Sequence, residues 1–211
     1  MIVKFFKYSL KDKVALFFHI LHILKTQLFY RVRFRSIGGR SSFRNKLMMT
    51  YGDISLGKKV TIGPHARIEG ISAWNGKTYE PHIIIEDGVS IQQRCHISAA
   101  SDLVIGKDSI LSFDVMITDI DHEYTDIGIP IGSQGLAIKK TRIGERCFIG
   151  GGAKIMAGAT LGEQCIVGSN SVVRGEFPDY SVIVGAPARI VKRYNRKTKS
   201  WQKTDKSGNF L

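Results

Sequence analysis

Branched aliphatic residues recur every six positions through most of this chain. An aliphatic followed by Gly or an acid, with a small or β-branched residue four positions on, selects Leu56, Ile62 and Ile68, then Ile85, Ile91 and Ile97, then Ile105, Leu111 and Ile117. The series resumes at Ile143 and runs unbroken through Ile149, Ile155, Leu161, Val167 and Val173. A helix cannot keep such a period on one face, because six residues advance about 600° around its axis, whereas short strands joined by equivalent corners can. Three hexads close one triangular coil, and stacked coils, about 4.8 Å apart by ordinary strand spacing, bury a continuous aliphatic column. The hexads predict an all-β solenoid, a parallel β-helix of about five coils over residues 51–191. Gly after the aliphatic is expected to give each corner its backbone freedom.

The pattern breaks after Ile68, Ile97 and Ile117, each the third hexad of its coil. All three interruptions, 70–82, 98–104 and 118–137, are therefore expected to leave the prism at one edge and stack there, bringing Trp74, Tyr79, Glu80 and His82 toward the edge that carries His122. The longest opens TDIDHEYTDIGIP, residues 118–130, and puts three Asp, one Glu and one His where the aliphatic period stops. A long loop in a regular array is more often functional than accidental. It sits where a pocket would be built.

The three cysteines, Cys95, Cys147 and Cys165, all fall on the small fourth position of a hexad. That placement predicts compact buried side chains rather than a disulfide framework or metal ligands. The six His, at 19, 22, 65, 82, 96 and 122, contain no H-x-x-x-x-H pair of the kind a zinc enzyme of this shape requires, so no metal is expected.

Charge is concentrated at the ends. Residues 1–50 hold 11 Lys and Arg against one acid, residues 51–191 hold 13 against 16, and residues 192–211 hold 7 against one. The body offers no basic groove for nucleic acid; the ends suit anionic surfaces or phosphates. Residues 192–211 read as a basic C-terminal tail and residues 1–50 as a basic amphipathic helical segment. In the latter, Leu10, Val14, Phe17, Leu21, Leu24 and Leu28 repeat at helical spacing, bracketed by Lys4, Lys7, Lys13, Arg31, Arg33 and Arg35. Such a helix either lies on an anionic membrane through residues 1–35 or caps the open end of the first coil. The apolar run 14–24 is too short to cross a bilayer, and a cytoplasmic protein, at most at the inner face of the membrane, is expected.

The hexads, the D-H-x-Y of the acid-rich loop, the run RIGERCFIGGGAKIMAGATLGEQCIVGSNSVV and the ending FPDYSVIVGAPARIVKRY together resemble the hexapeptide-repeat acyltransferases, in particular the galactoside, maltose and polysaccharide O-acetyltransferases, over about residues 52–194. The resemblance implies a left-handed β-helix and a homotrimer with acetyl-CoA between neighbouring chains. It also implies transfer of the acetyl group to a hydroxyl of a sugar or lipid-linked glycan in envelope polysaccharide synthesis. By position it makes His122 the general base, a role suited to an imidazole, which is largely neutral near pH 7. Glu123, Asp119 or Asp121 would orient the ring, and the N–H of Gly151 would stabilise the oxyanion. Phe148, Ser169, Arg189 and Lys192 would meet the cofactor, with Arg174 standing one residue before the Lys that relatives carry. Gln92, Trp74, Tyr79 and Asp121 would face the acceptor. The alternatives are a nucleotide-sugar N-acetyltransferase, although no Gly-rich nucleotide-binding domain precedes the hexads, and a non-catalytic binding protein of the same fold.

Overall fold

The computed structural model describes residues 9–205 and 207–211; Lys4 and Lys7 of the expected basic bracket lie outside them. Helix α1, Leu10–Lys25, is capped by the Ser9 side chain, which accepts from the Asp12 N–H, and runs into a wider π-helical turn at Thr26–Tyr30. From Ser36 onward the chain winds through three parallel sheets. Sheet A begins with Ser36–Ile37 and ends with Glu176–Phe177, seven strands in all. Sheet B has seven parallel strands from Ser42–Phe43 to Ser181–Gly185, and sheet C six, from Met48–Met49 to Val172–Val173.

The registers place each hexad aliphatic over the one in the turn beneath. In sheet A, Leu56 pairs with Ile85, Ile85 with Ile105, Ile105 with Ile143 and Ile143 with Leu161. Sheet B stacks Ile62, Ile91, Leu111, Ile149 and Val167, and sheet C stacks Ile68, Ile97, Ile117, Ile155 and Val173. These side chains are buried to within 3% of full coverage, as are Cys95, Cys147 and Cys165 on the small position. Burial pushes the Cys95 thiol up to about 11, which keeps it protonated and inert.

The solenoid extends beyond the predicted coils at both ends. Ile37, Phe43 and Met49 form an additional first turn at the same six-residue spacing, so the expected helical segment 1–50 gives way to sheet at Ser36. Phe and Met occupy two of its three core positions, which hid it from a search for branched aliphatics. Phe177 and Ile183 add to the other end, stacked on Leu161 and Val167. Residues 192–211 are likewise not a loose tail. Ala188–Asn195 and Ser200–Lys203 continue sheet B as antiparallel strands, held by Tyr180, Tyr194 and Trp201 in edge contacts at 6.1 and 5.8 Å.

Capping of the first turn falls to the segment after α1. Tyr30 and Phe34 close over Phe43 and Tyr51, with ring centroids 4.9 Å apart for Tyr30–Phe43 and for Phe34–Tyr51. The helix itself buries no residue. Its predicted apolar stripe faces solvent: Leu10, Phe17, Leu24 and Leu28 are 78%, 57%, 49% and 71% exposed, while His19, His22 and Thr26 lie on the more covered side. Among the described residues no helix is long and apolar enough to cross a membrane.

The glycines after the aliphatics serve close approach rather than an unusual backbone conformation. A Cβ on Gly106 would come within 2.5 Å of the Gly144 carbonyl carbon in the next turn, and one on Gly63 within 2.7 Å of the Gln92 carbonyl carbon. Left-handed backbone falls two residues later, at Lys59, His65, Asp108, Arg146 and Asn170 among others.

As expected, the three interruptions leave the C-to-A edge together. The first carries an Asn75-Gly76 turn, with φ of 47° and 72°, joining Ala73–Trp74 to Lys77–Thr78. The last folds back as a second antiparallel hairpin, Ile120–His122 against Leu136–Ile138. Trp74 Nε1 donates to the Gln134 carbonyl at 3.0 Å, and Asn75 Nδ2 to the Gly132 and Gln134 carbonyls at 3.0 and 2.8 Å, so one hairpin braces the other.

If the stacked column carries the stability, adjacent residues should respond very differently. Ile143→Ala is expected to cost about 2–5 kcal/mol, while Arg142→Ala, exposed on the same strand, stays within about 0.5 kcal/mol, both read from denaturation midpoints.

Candidate active site

The hairpin Ile120–His122 against Leu136–Ile138 roofs the outer face of sheet C. Alternation along each strand decides what that face presents. On either side of the inward Ile68, Ile97 and Ile117 stand Arg67 and Glu69, His96 and Ser98, Met116 and Thr118, all pointing outward. With Trp74 and Leu136 from the two hairpins they enclose an open cleft of about 460 Å³, into which His122 also faces. A second cleft of about 580 Å³ adjoins it on the far side of the hairpin strand, lined by His122, Glu123, Tyr124, Lys139 and Arg174. His122 is exposed and borders both. Its ring meets Trp74 edge-on, centroids 5.3 Å apart.

The three acids expected to orient His122 are each engaged elsewhere. Asp119 is fully buried, and its carboxylate accepts from the Ala100 and Ser101 N–H groups at 2.9 Å each and from Ser101 Oγ at 2.7 Å. It clasps the second interruption to the third and makes no bond to His122. Asp121 takes a two-pronged hydrogen bond from Arg174, at 3.0 and 3.3 Å, which holds that guanidinium above its ordinary pKa. Arg174 thus lines the second cleft, in the corner after Val173, while Arg189 and Lys192 lie on the strand Ala188–Asn195. Glu123 Oε2 lies 3.9 Å from Lys77 Nζ, and the Glu123 N–H donates to the Gly135 carbonyl at 3.0 Å.

The remaining expected residues divide by edge. Gly151 and Ser169 sit on the corner between sheets B and C, and Phe148, 44% exposed, lies on the outer face of sheet B between Ile110 and Ile166. The Phe113 ring covers Gly151 so closely that a Cβ there would meet it at 2.9 Å. Arg189 and Lys192 lie exposed on the antiparallel extension, paired with Val184 and Val182. Gln92 is exposed on a corner one side of sheet C away from the hairpin, its Nε2 3.4 Å from Ser90 Oγ. Tyr79, Glu80 and His82 line neither cleft. His82 starts a sheet A strand and pairs with Ser55 Oγ at 2.9 Å; burial, followed by the nearby Arg35, lowers its pKa. Within one chain, then, His122 and Gly151 flank opposite edges of sheet C.

Arg67, Glu69, His96, Met116 and Met156 escaped the sequence reading. Their signal was available: each directly precedes or follows a third-column aliphatic, and the third column adjoins the interrupted edge.

Comparisons with known proteins match this architecture. A family model described as bacterial transferase hexapeptide (six repeats) matches residues 140–175. The chain is 32% identical over 188 residues to a protein of Escherichia coli (strain K12) named as a lipopolysaccharide biosynthesis O-acetyl transferase, WbbJ, covering 86% of this chain and 89% of that one. Among solved structures, a maltose O-acetyltransferase from Clostridium difficile 630 superposes with a TM-score of 0.56 at 25% identity, over 66% of this chain and 69% of the other. AntD, an N-acyltransferase from Bacillus cereus solved with dTDP and 3-hydroxybutyryl-CoA, shares the fold with a TM-score of 0.64 at 17% identity, over 82% and 90% of the two chains. With likeness running through nearly the whole length of a hexapeptide relative, on a solenoid built from the same six-residue turns, the chain belongs to the hexapeptide-repeat acyltransferases.

Proposed function

We propose that this protein moves an acetyl group from acetyl-CoA to a hydroxyl of a sugar in a cell-envelope glycan, with His122 as general base. The observation that carries this reading is the position of His122, exposed on a braced hairpin strand where two clefts meet, with Asp119 and Asp121 bonded to other partners and not to its ring. An acceptor hydroxyl in the first cleft gives its proton to the imidazole as its oxygen attacks the thioester carbonyl carbon. The tetrahedral intermediate collapses by breaking the C–S bond, and the imidazolium returns the proton to the departing thiolate. The likeness to WbbJ and to the maltose O-acetyltransferase supports a sugar hydroxyl as acceptor.

The oxyanion and cofactor contacts come from a second copy in this reading. His122 and Gly151 occupy opposite edges of sheet C in one chain, so a base and an N–H donor can adjoin only when one chain's C-to-A edge faces another's B-to-C edge. A homotrimer with acetyl-CoA in each groove meets that requirement, and the exposed strip of Ile110, Phe148 and Ile166 offers apolar surface for it. Arg189 and Lys192 would take the nucleotide phosphates. The outward stripe of α1, flanked by Lys11, Lys25, Arg31 and Arg33, suits an anionic membrane surface where a lipid-linked acceptor resides.

His122→Ala should lower transfer by at least the roughly 10²–10⁴-fold typical of general acid–base groups while coenzyme A still binds. Product from the native enzyme should gain one acetyl mass that mild alkali removes, as an ester does; an alkali-stable product would indicate amide formation and overturn the hydroxyl assignment.

Arg189→Ala with Lys192→Ala should weaken acetyl-CoA binding more than binding of acetyl-pantetheine, which lacks the nucleotide phosphates. Equal losses would place the phosphates elsewhere.

Replacing Phe17, Leu21, Leu24 and Leu28 by Gln leaves the Tyr30–Phe34 cap intact and should abolish co-sedimentation with phosphatidylglycerol vesicles at low salt. Unchanged co-sedimentation would remove α1 from membrane contact.

A further inference from the structure

The inner wall of the first cleft carries an arrangement that the transfer step does not use. Glu69 is only 5% exposed, yet it stands on the outward side of its strand, beneath the hairpin. Arg67 Nη2 reaches both of its carboxylate oxygens, at 2.6 and 2.8 Å. His96, one turn along the same ladder, brings Nε2 to 3.5 Å from Glu69 Oε1 without completing a hydrogen bond. His96 Nε2 and Arg67 Nε are buried and have no hydrogen-bond partner among the described residues. Both atoms are occluded inside the Arg67–Glu69–His96 cluster, so what the cluster offers a ligand is its outer side, where the Arg67 and His96 side chains are 43% and 41% exposed.

The rest of the cleft specifies what that ligand is. Ile71, Trp74, Ile120, Leu136 and Met156 form apolar walls around the polar patch, and the volume of about 460 Å³ lies in the range of small-molecule sites. Charge is cancelled internally: Glu69 neutralises Arg67 within the wall, and Asp121, the other acid of the cleft, is held by Arg174. No unopposed cation among the lining residues would repay the desolvation of an anionic group.

We infer that Arg67, Glu69 and His96 form the acceptor-selecting wall, and that they take the hydroxyls of an uncharged pyranose while discriminating against uronic or phosphorylated sugars. Ring hydroxyls bond to the exposed outer side of the Arg67 guanidinium and of the His96 ring, and the apolar face of the sugar lies against Trp74, presenting one further hydroxyl to His122. This rests on the acetyl-transfer reading for the identity of the bound molecule as acceptor, but it is a statement about binding and is tested as one.

The experiment is equilibrium titration, by ligand-observed NMR or calorimetry, of the full chain with p-nitrophenyl β-galactopyranoside and p-nitrophenyl β-glucuronide, with acetyl transfer from acetyl-CoA to each followed in parallel. The neutral glycoside should bind at least about tenfold more tightly than the glucuronide. His96→Ala should weaken the neutral glycoside by about tenfold, the scale of one lost hydrogen bond in a covered site. Glu69→Gln, which keeps the shape but frees the Arg67 charge, should narrow or invert the preference. Tighter binding of the glucuronide by the native protein, binding of neither glycoside, or indifference of both affinities to both variants overturns the proposal. Binding that follows the expected pattern without any transfer leaves this wall standing and removes the acetyl-transfer reading; transfer with affinities indifferent to the variants does the reverse.

Discussion

Vertical stacking of one aliphatic on the next is the constraint from which the rest of the molecule follows. Because Ile85 must lie over Leu56 and under Ile105, every strand between is held in register, and a slip of one residue would turn a buried Ile outward. Each buried aliphatic contributes about 1.5–3 kcal/mol by leaving water, and the columns repeat it at every turn. The three large interruptions leave the columns intact because each lies in a corner, between a sheet C strand and the next sheet A strand. They emerge on one edge, and the cleft is built there.

The same constraint explains what could be read in advance. The register of the predicted coils, the burial of all three cysteines and the convergence of the loops were legible because each depends on position within a six-residue period, which sequence displays directly. The first turn was obscured because Phe43 and Met49 meet the same packing need with different shapes. Glycine was rightly placed but for the wrong reason: the next turn's backbone lies too close for a Cβ at Gly63 or Gly106, and the left-handed residues come later in the corner.

Roles within the acid-rich loop were less legible, since Asp119, Asp121 and Glu123 look alike in sequence and differ only in what surrounds them. Asp119 turns inward and ties two loops; Asp121 meets Arg174, distant by 53 positions. Nothing local marks either fate. Arg67, Glu69 and His96 were missed for the opposite reason, because each looks like an ordinary exposed strand residue until the hairpin is seen to cover them. At the C-terminus, a run of basic residues that composition alone assigns to solvent is held as sheet by Tyr194 and Trp201.

Division of the expected residues between two edges of sheet C is the feature on which the functional account turns. Under the proposed acetyl transfer, it would keep His122 and Gly151 of a single chain from acting together and would put the reaction in the groove between copies. The structure of the assembled protein with coenzyme A bound tests this most directly. The account predicts the cofactor thiol beside His122 of one copy, with the nucleotide phosphates on Arg189 and Lys192 of the adjacent copy. A thiol located away from every His122, or a cofactor held wholly by one chain, would contradict it.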